Sequence, residues 1–153
     1  MKNYSILAIL WILSFIPTRS QMLFNGNFQY GNEWIVKGQR YFKFYIPVDG
    51  MYSLTKADLE TAGIPVADIQ SSQFQIFKNG QEISLLTSTE SPLGSSDYIL
   101  FYATHNRAEL DASLFKSNTP LFNKEYSMFT DTAAYYLTWS AVNKGKRIEF
   151  KNN

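Results

Sequence analysis

Between Tyr41 and Ile64 the chain reads YFKFYIPVDGMYSLTKADLETAGI, and the spacing of its apolar residues changes partway along. Phe42, Phe44 and Ile46 alternate with Tyr41, Lys43 and Tyr45, the period-two pattern of a half-buried strand. Asp49-Gly50 supplies the positive φ of a two-residue hairpin turn, so Met51 to Thr55 is expected to return as the partner strand. Thr55 with Asp58 three positions on is a capping box opening a short helix near residues 56–62. Gly63 and Ile64-Pro65 stop it, with Ile64 set to meet Leu59 across a Schellman end. A helix of about two turns does not persist alone, so it must pack on something.

The same reading continues down the chain. If Asn79-Gly80 is a two-residue turn, Lys78 faces Gln81, Ile76 faces Ile83 and Phe74 faces Leu85, which puts the apolar ladder on one face. Tyr98 to Ala103 is apolar or aromatic throughout and reads as a central strand buried on both faces. Further strands are expected at Trp34 to Val36, Tyr126 to Thr130, Ala134 to Trp139 and Lys146 to Phe150. The Asn/Gly-rich stretch from Phe24 to Glu33 and the stretch from Thr87 to Ser96 read as loops, and the long connection from Thr104 to Lys124 is either a functional loop or holds a short helical turn around Arg107 to Leu114. Seven to nine short strands with one small helix predict a mainly β fold, an antiparallel β-sandwich with jelly-roll-like topology.

Lys2 followed by an apolar run from Ile6 to Ile16 resembles a secretory signal peptide over residues 1–20, cut near Ser20-Gln21. The run is too short for a membrane span, which needs about 20 apolar residues. The domain expectation is therefore a leader, a flexible segment over 21–33 and one β-sandwich over 34–151. Without Lys2 and Arg19, twelve basic residues face thirteen acidic ones, so charge gives no reason to expect nucleic acid or an anionic membrane as partner. The chain has no cysteine; packing among twelve Phe, ten Tyr and three Trp must replace disulfides. A thiolate metal site, a cysteine nucleophile and a lipid anchor on an N-terminal cysteine are excluded with it.

The block from Tyr41 to Ile64 resembles the opening of the N-terminal β-domain that precedes the catalytic part in gingipain-type cysteine peptidases of the type IX secretion pathway, most like its PorU-type sortases. Three further stretches resemble that domain in the same order: FQIFKNGQEI (Phe74 to Ile83), SSDYILFYA (Ser95 to Ala103) and YSMFTDTAAYYLTW (Tyr126 to Trp139). Together they span Trp34 to Arg147. The resemblance implies an exported, noncatalytic domain in the periplasm, outer membrane or cell surface, packing on or restraining a peptidase catalytic domain or another component of the pathway. The catalytic region of that family is absent from this chain, so peptidase activity is not carried over to any residue here.

Reading the residues for chemistry yields candidates and no assigned catalytic, cofactor or metal residue. His105 is the sole histidine, so any acid/base histidine is this one. Ser95, Ser96, Asp97 and His105 contain the letters of a triad without its surrounding signature. Asp97, Asp111 and Asp131 adjoin loops and are of the type that holds calcium, and Glu90, Glu109 and Glu125 are of the type that hydrolyses glycosides; neither set has a supporting spacing. Trp34, Tyr45, Tyr135 and Trp139 are candidates for sugar stacking, and Arg107 and Arg147 for insertion into an acidic cleft. No cofactor is expected. The alternatives to the peptidase-associated domain are an independent exported carbohydrate- or ligand-binding module and a truncated fragment of a longer protein.

Overall fold

The computed structural model describes residues 22–24, 27–29, 31–111 and 124–149. The leader expected over residues 1–20 and the later part of the helical turn expected up to Leu114 lie outside the described residues; within that stretch, 108–110 form a turn. The chain divides into two compact units, Met1–Trp34 and Ile35–Asn153. In the first, β1 (Met22–Phe24) and β2 (Asn27–Gln29) pair antiparallel with Leu23 opposite Phe28, so part of the expected loop over 24–33 is strand.

The second unit is an antiparallel β-sandwich. Its strands are β3 (Phe42–Ile46), β4 (Gly50–Thr55), β5 (Phe74–Lys78), β6 (Gln81–Ile83), β7 (Leu86–Thr87), β8 (Tyr98–Ala103) and β9 (Ala133–Trp139). One sheet has the order β3-β9-β5-β6 and the other β4-β8-β7. The chain thus changes sheet from β3 to β4, returns for β5, and changes again at β7 and β9, the jelly-roll-like route expected of the sequence.

That route corrects the reading of Asp49-Gly50. β3 and β4 do not form a hairpin: β3 pairs with β9, β4 with β8, and Gly50 is not among the positive-φ glycines. Inward-facing Phe44 and Tyr52 are more deeply covered between two sheets than on one ribbon. Asn79-Gly80 is the turn its sequence predicts, with φ of 50° and 78°. Lys78 stands opposite Gln81 and Ile76 opposite Ile83. The ladder ends there; Phe74 pairs with Trp139, while Leu85 bridges to Arg147.

The core lies between the sheets. Ile76, Tyr135 and Leu137 face inward from one, Ile99, Phe101 and Ala103 from the other, all buried. An aromatic chain links them: Tyr52 stacks on Phe101 at 6.0 Å, Phe101 meets Phe44 edge-on at 5.9 Å across the sheets, and Phe44 stacks on Tyr135 at 5.7 Å. β8 is central in its sheet, as expected, but among the described residues it is covered on one face only, with Tyr98 and Tyr102 exposed on the other.

Helix α1 (Lys56–Thr61) follows β4 with the expected cap. Thr55 Oγ1 accepts from Asp58 N–H, and Asp58 accepts from Thr55 N–H at 2.8 Å. The helix ends on Gly63 at φ 79°, with Ile64 N–H donating to Leu59 O at 3.0 Å and both side chains buried.

Three expected strands are not strands. Trp34 ends a turn, Ile35 and Val36 belong to no ladder, and Val36 O opens the next turn by accepting from Gln39 N–H at 3.2 Å. Residues 126–130 are bends, because the buried Asp111 carboxylate takes the Met128 N–H at 2.8 Å, a donor that a ladder would use. Residues 146–149 make one parallel bridge and are held by a side chain instead: the Arg147 guanidinium donates to Phe74 O and Ser71 O, and burial pushes its pKa down.

Two substitutions test this architecture. Gly80→Val places a β-branched residue at positive φ and should destabilise the chain by about 1–2 kcal/mol. Gly145→Ala should cost about 1–3 kcal/mol by overpacking, since a Cβ there would lie 2.1 Å from Phe74 O. Denaturant midpoints against Lys144→Ala, a solvent-exposed control, check both; midpoints equal to the control would refute the assigned turn and the close approach.

Candidate functional site

The polar groups gather at the end of the sandwich where β8 leaves its sheet. Tyr135, buried in β9, fixes the exit: its hydroxyl accepts from Thr104 N–H at 2.9 Å and donates to Thr104 O at 3.1 Å. The next residue, His105, is buried and reaches two separate segments. Its backbone N–H donates to Asp49 Oδ1 at 2.8 Å, its Nδ1 lies 2.5 Å from the same oxygen, and its Nε2 lies 2.7 Å from Glu125 O. Tyr126 covers the ring, centroids 5.0 Å apart.

Arg107 completes the cluster by donating from Nη2 to Asp49 Oδ2 and pairing Nη1 with Glu125 Oε2 at 3.3 Å; its Nε is buried without an acceptor. Lys78, at the end of β5, donates to Thr104 Oγ1 at 2.7 Å and pairs with Glu109 at 3.3 Å. The Asp49 carboxyl is held well below the usual carboxylate range, first by the His105 backbone N–H and then by Arg107. His105 is raised above its ordinary value, because the Glu125 carbonyl and the Asp49 carboxylate both accept from the charged ring.

Chemically, this arrangement braces loops and leaves no reactive group presented. Both imidazole nitrogens are engaged, and the carboxylates that touch the ring and Arg107 are neutralised by cations. The triad letters do not assemble: Asp97 precedes β8 and His105 follows it, so six strand residues, about 20 Å, separate them. Asp97 accepts from Ser88 Oγ at 2.7 Å and Gly94 N–H at 2.8 Å, a loop brace.

The remaining candidates are dispersed. Asp111 accepts from Ser127 and Met128, and Asp131 accepts Asn106 N–H through its carbonyl. Among the described residues no three His, Cys, Asp or Glu come together as a metal site. Glu90 pairs with Lys144, far along the chain from Glu109 and Glu125 with their own cations. Of the aromatic candidates, Tyr135 is core, Trp139 is half-buried and stacks on Phe42 at 6.0 Å, Trp34 is half-buried, and Tyr45 is exposed beneath Lys43 Nζ. Arg147 is engaged inside the fold with Ser71 and Phe74.

Two surfaces without polar chemistry complete the inventory. A shallow apolar groove of about 170 Å³ lies between Phe42, Phe44, Leu54, Leu59, Ile64 and Leu137. The outer face of β8 presents Tyr98 and Tyr102, with Met51 of β4 directly opposite Tyr102. These three side chains are 40%, 54% and 56% exposed respectively.

Asp49 is the residue that sequence reading missed as a site member. Its position beside Gly50 gave a sufficient turn explanation, and its partners lie more than fifty positions away. No protein-family model, no curated protein and no solved structure matches this chain.

Asp49→Asn keeps the shape and removes the anion that His105 and Arg107 share. The variant is expected to melt below the wild type at neutral pH. Because the folded carboxyl titrates below its unfolded value of 3.8, this contribution is present above that pH and is lost as pH falls through the folded value. Melting curves over a pH series should therefore converge in acid; a gap that stays constant would refute the role given to the carboxylate.

Proposed function

We propose that this chain is an exported, noncatalytic β-sandwich domain of the kind that precedes the catalytic part of gingipain-type cysteine peptidases in type IX secretion. In this reading it is a protein-binding module that packs on or restrains a peptidase catalytic domain or another component of that pathway. The observation that carries the reading is the outer face of β4 and β8. Met51, Tyr98 and Tyr102 are large, exposed and adjacent, with half-buried Leu100 between the two tyrosines. Large apolar side chains grouped on one exposed face are what a protein partner covers, whereas scattered exposed residues need no partner.

Two further observations support it. The chain holds no cysteine, and its sole histidine is occupied on both nitrogens, so neither half of a cysteine-histidine pair is available within it. The four family-like stretches also occupy connected parts of one sandwich: the strands β3, β4, β5, β6, β8 and β9, and helix α1.

Co-expression of the full chain with a gingipain-type catalytic domain tests the proposal. A stable complex is expected, weakened at least about tenfold by Tyr102→Lys or Met51→Lys, while folding stability stays within about 0.5 kcal/mol as for other surface substitutions. Failure to form a complex, or a complex indifferent to both variants, would overturn it.

A further inference from the structure

One imidazole ties two loops together at the end of the sandwich, and both of the atoms it ties to are acceptors. Nδ1 of His105 faces the Asp49 carboxylate and Nε2 faces the Glu125 carbonyl oxygen, at 2.5 and 2.7 Å. A neutral imidazole has one N–H and one lone pair, so it can serve one of these partners but not both; an imidazolium serves both. We propose that His105 is a protonation-dependent latch, clamping the segment 124–130 to the loop between β3 and β4 when charged and releasing that segment when neutral.

The geometry decides which side lets go. Asp49 is the stronger acceptor and is held in place by the His105 backbone N–H and by Arg107, so the neutral ring keeps its proton on Nδ1. Nε2 then points a lone pair at the lone pairs of Glu125 O, at a separation that only a hydrogen bond makes favourable. The segment bearing Glu125 has to move. Its other ties to the 106–111 segment include Ser127 N–H to Asn106 O at 3.3 Å, Ala108 N–H to Lys124 O at 3.4 Å, Met128 N–H and Ser127 Oγ to Asp111 at 2.8 and 3.2 Å, Asn106 to Thr130 O at 2.8 Å and the Arg107–Glu125 pair. The side chains that move with it include Met128 and Phe129, already 71% and 72% exposed, and the Tyr126 ring tilted over His105.

The charged groups around the ring come from every element packed on it. The loop between β3 and β4 contributes Asp49, β5 contributes Lys78, whose Nζ lies 3.4 Å from His105 O, and the ring's own segment contributes Arg107, Glu109 and Asp111. The facing segment contributes Glu125, Tyr126 and, through its carbonyl, Asp131. The Glu125 carbonyl and then Asp49 favour the charged ring, while burial and Arg107 oppose it; the balance raises its pKa above the ordinary 6.5. With the folded value raised, the latch is fully present below pH 6.5 and is lost as pH rises through the folded value. It is closed in acid and opens toward alkaline pH.

The test uses the full chain, isotope-labelled. Because His105 is the sole histidine, its ring resonances titrate alone in the spectrum. Amide exchange of Ser127 and Met128 is followed from about pH 5 to about pH 9, with Ile99 and Phe101 in β8 as internal references for global opening and for base-catalysed exchange. The ring is expected to titrate above 6.5. Protection of Ser127 and Met128 relative to β8 is expected to fall about tenfold through the same midpoint, the scale of one charge-assisted hydrogen bond. His105→Gln, which carries one amide donor group at every pH, is expected to flatten that dependence. A ring midpoint at or below 6.5, or relative protection that ignores the midpoint, overturns the proposal, and the wild-type measurement alone decides if the variant does not fold.

Discussion

The edge-on contact between Phe44 and Phe101 is the point at which the two sheets become one fold. Phe44 rests on Tyr135 within its own sheet and Phe101 on Tyr52 within the other, so four rings form a continuous path through the core. Each such contact adds about 0.5–1.5 kcal/mol beyond the burial of its area. In a chain with no cysteine, this kind of packing takes the place of a covalent link between layers. The sheets in turn place β8 so that Ala103 ends inside the core while His105, two residues on, reaches the polar cluster.

Each end of the sandwich is closed by a cation, with different partners. At one end Arg107 and His105 meet carboxylates, an arrangement that responds to pH. At the other, Arg147 meets the backbone carbonyls of Ser71, Phe74 and Lys146, which do not titrate. Gly145 makes that second closure possible by letting the backbone approach Phe74 O. Removing the proton of His105 takes one tie from the first closure and leaves the Arg107 pairs, whereas no partner in the second changes charge.

Much of the fold was legible where local chemistry and tertiary packing agree. The capping box at Thr55 and Asp58, the Schellman end at Gly63 and the Asn79-Gly80 turn are set by neighbours a few positions away, and the structure holds each as read. Asp49-Gly50 was misread because a turn signal says that the chain bends, not which sheet the next strand joins. Tyr98 to Ala103 was misread on one face because composition cannot distinguish a strand covered on both faces from one open to solvent on one. Candidate-site legibility was poorer still: His105 was visible as a lone histidine, but Asp49 and Glu125 meet it only through topology. Their sequence separations, 56 and 20, fit no motif spacing.

The pairing of β3 with β9 joins Phe42 to Leu137, residues ninety-five positions apart. The sheet β4-β8-β7 has all its strands once Ala103 is made, but the other lacks β9, the strand between β3 and β5, until nearly all of the described sandwich has been synthesised. A core that depends on such distant pairing must close a long loop before most of its contacts repay the entropy, which places folding on the millisecond-to-second scale, among the slower small domains. The first strand of the sandwich, FKFYI, is aromatic at three of its five positions and waits longest for its partner. A nascent chain of this design spends its early life with an adhesive segment uncovered, and midway along it stands Lys43, the kind of charge by which edge strands discourage pairing with a neighbour.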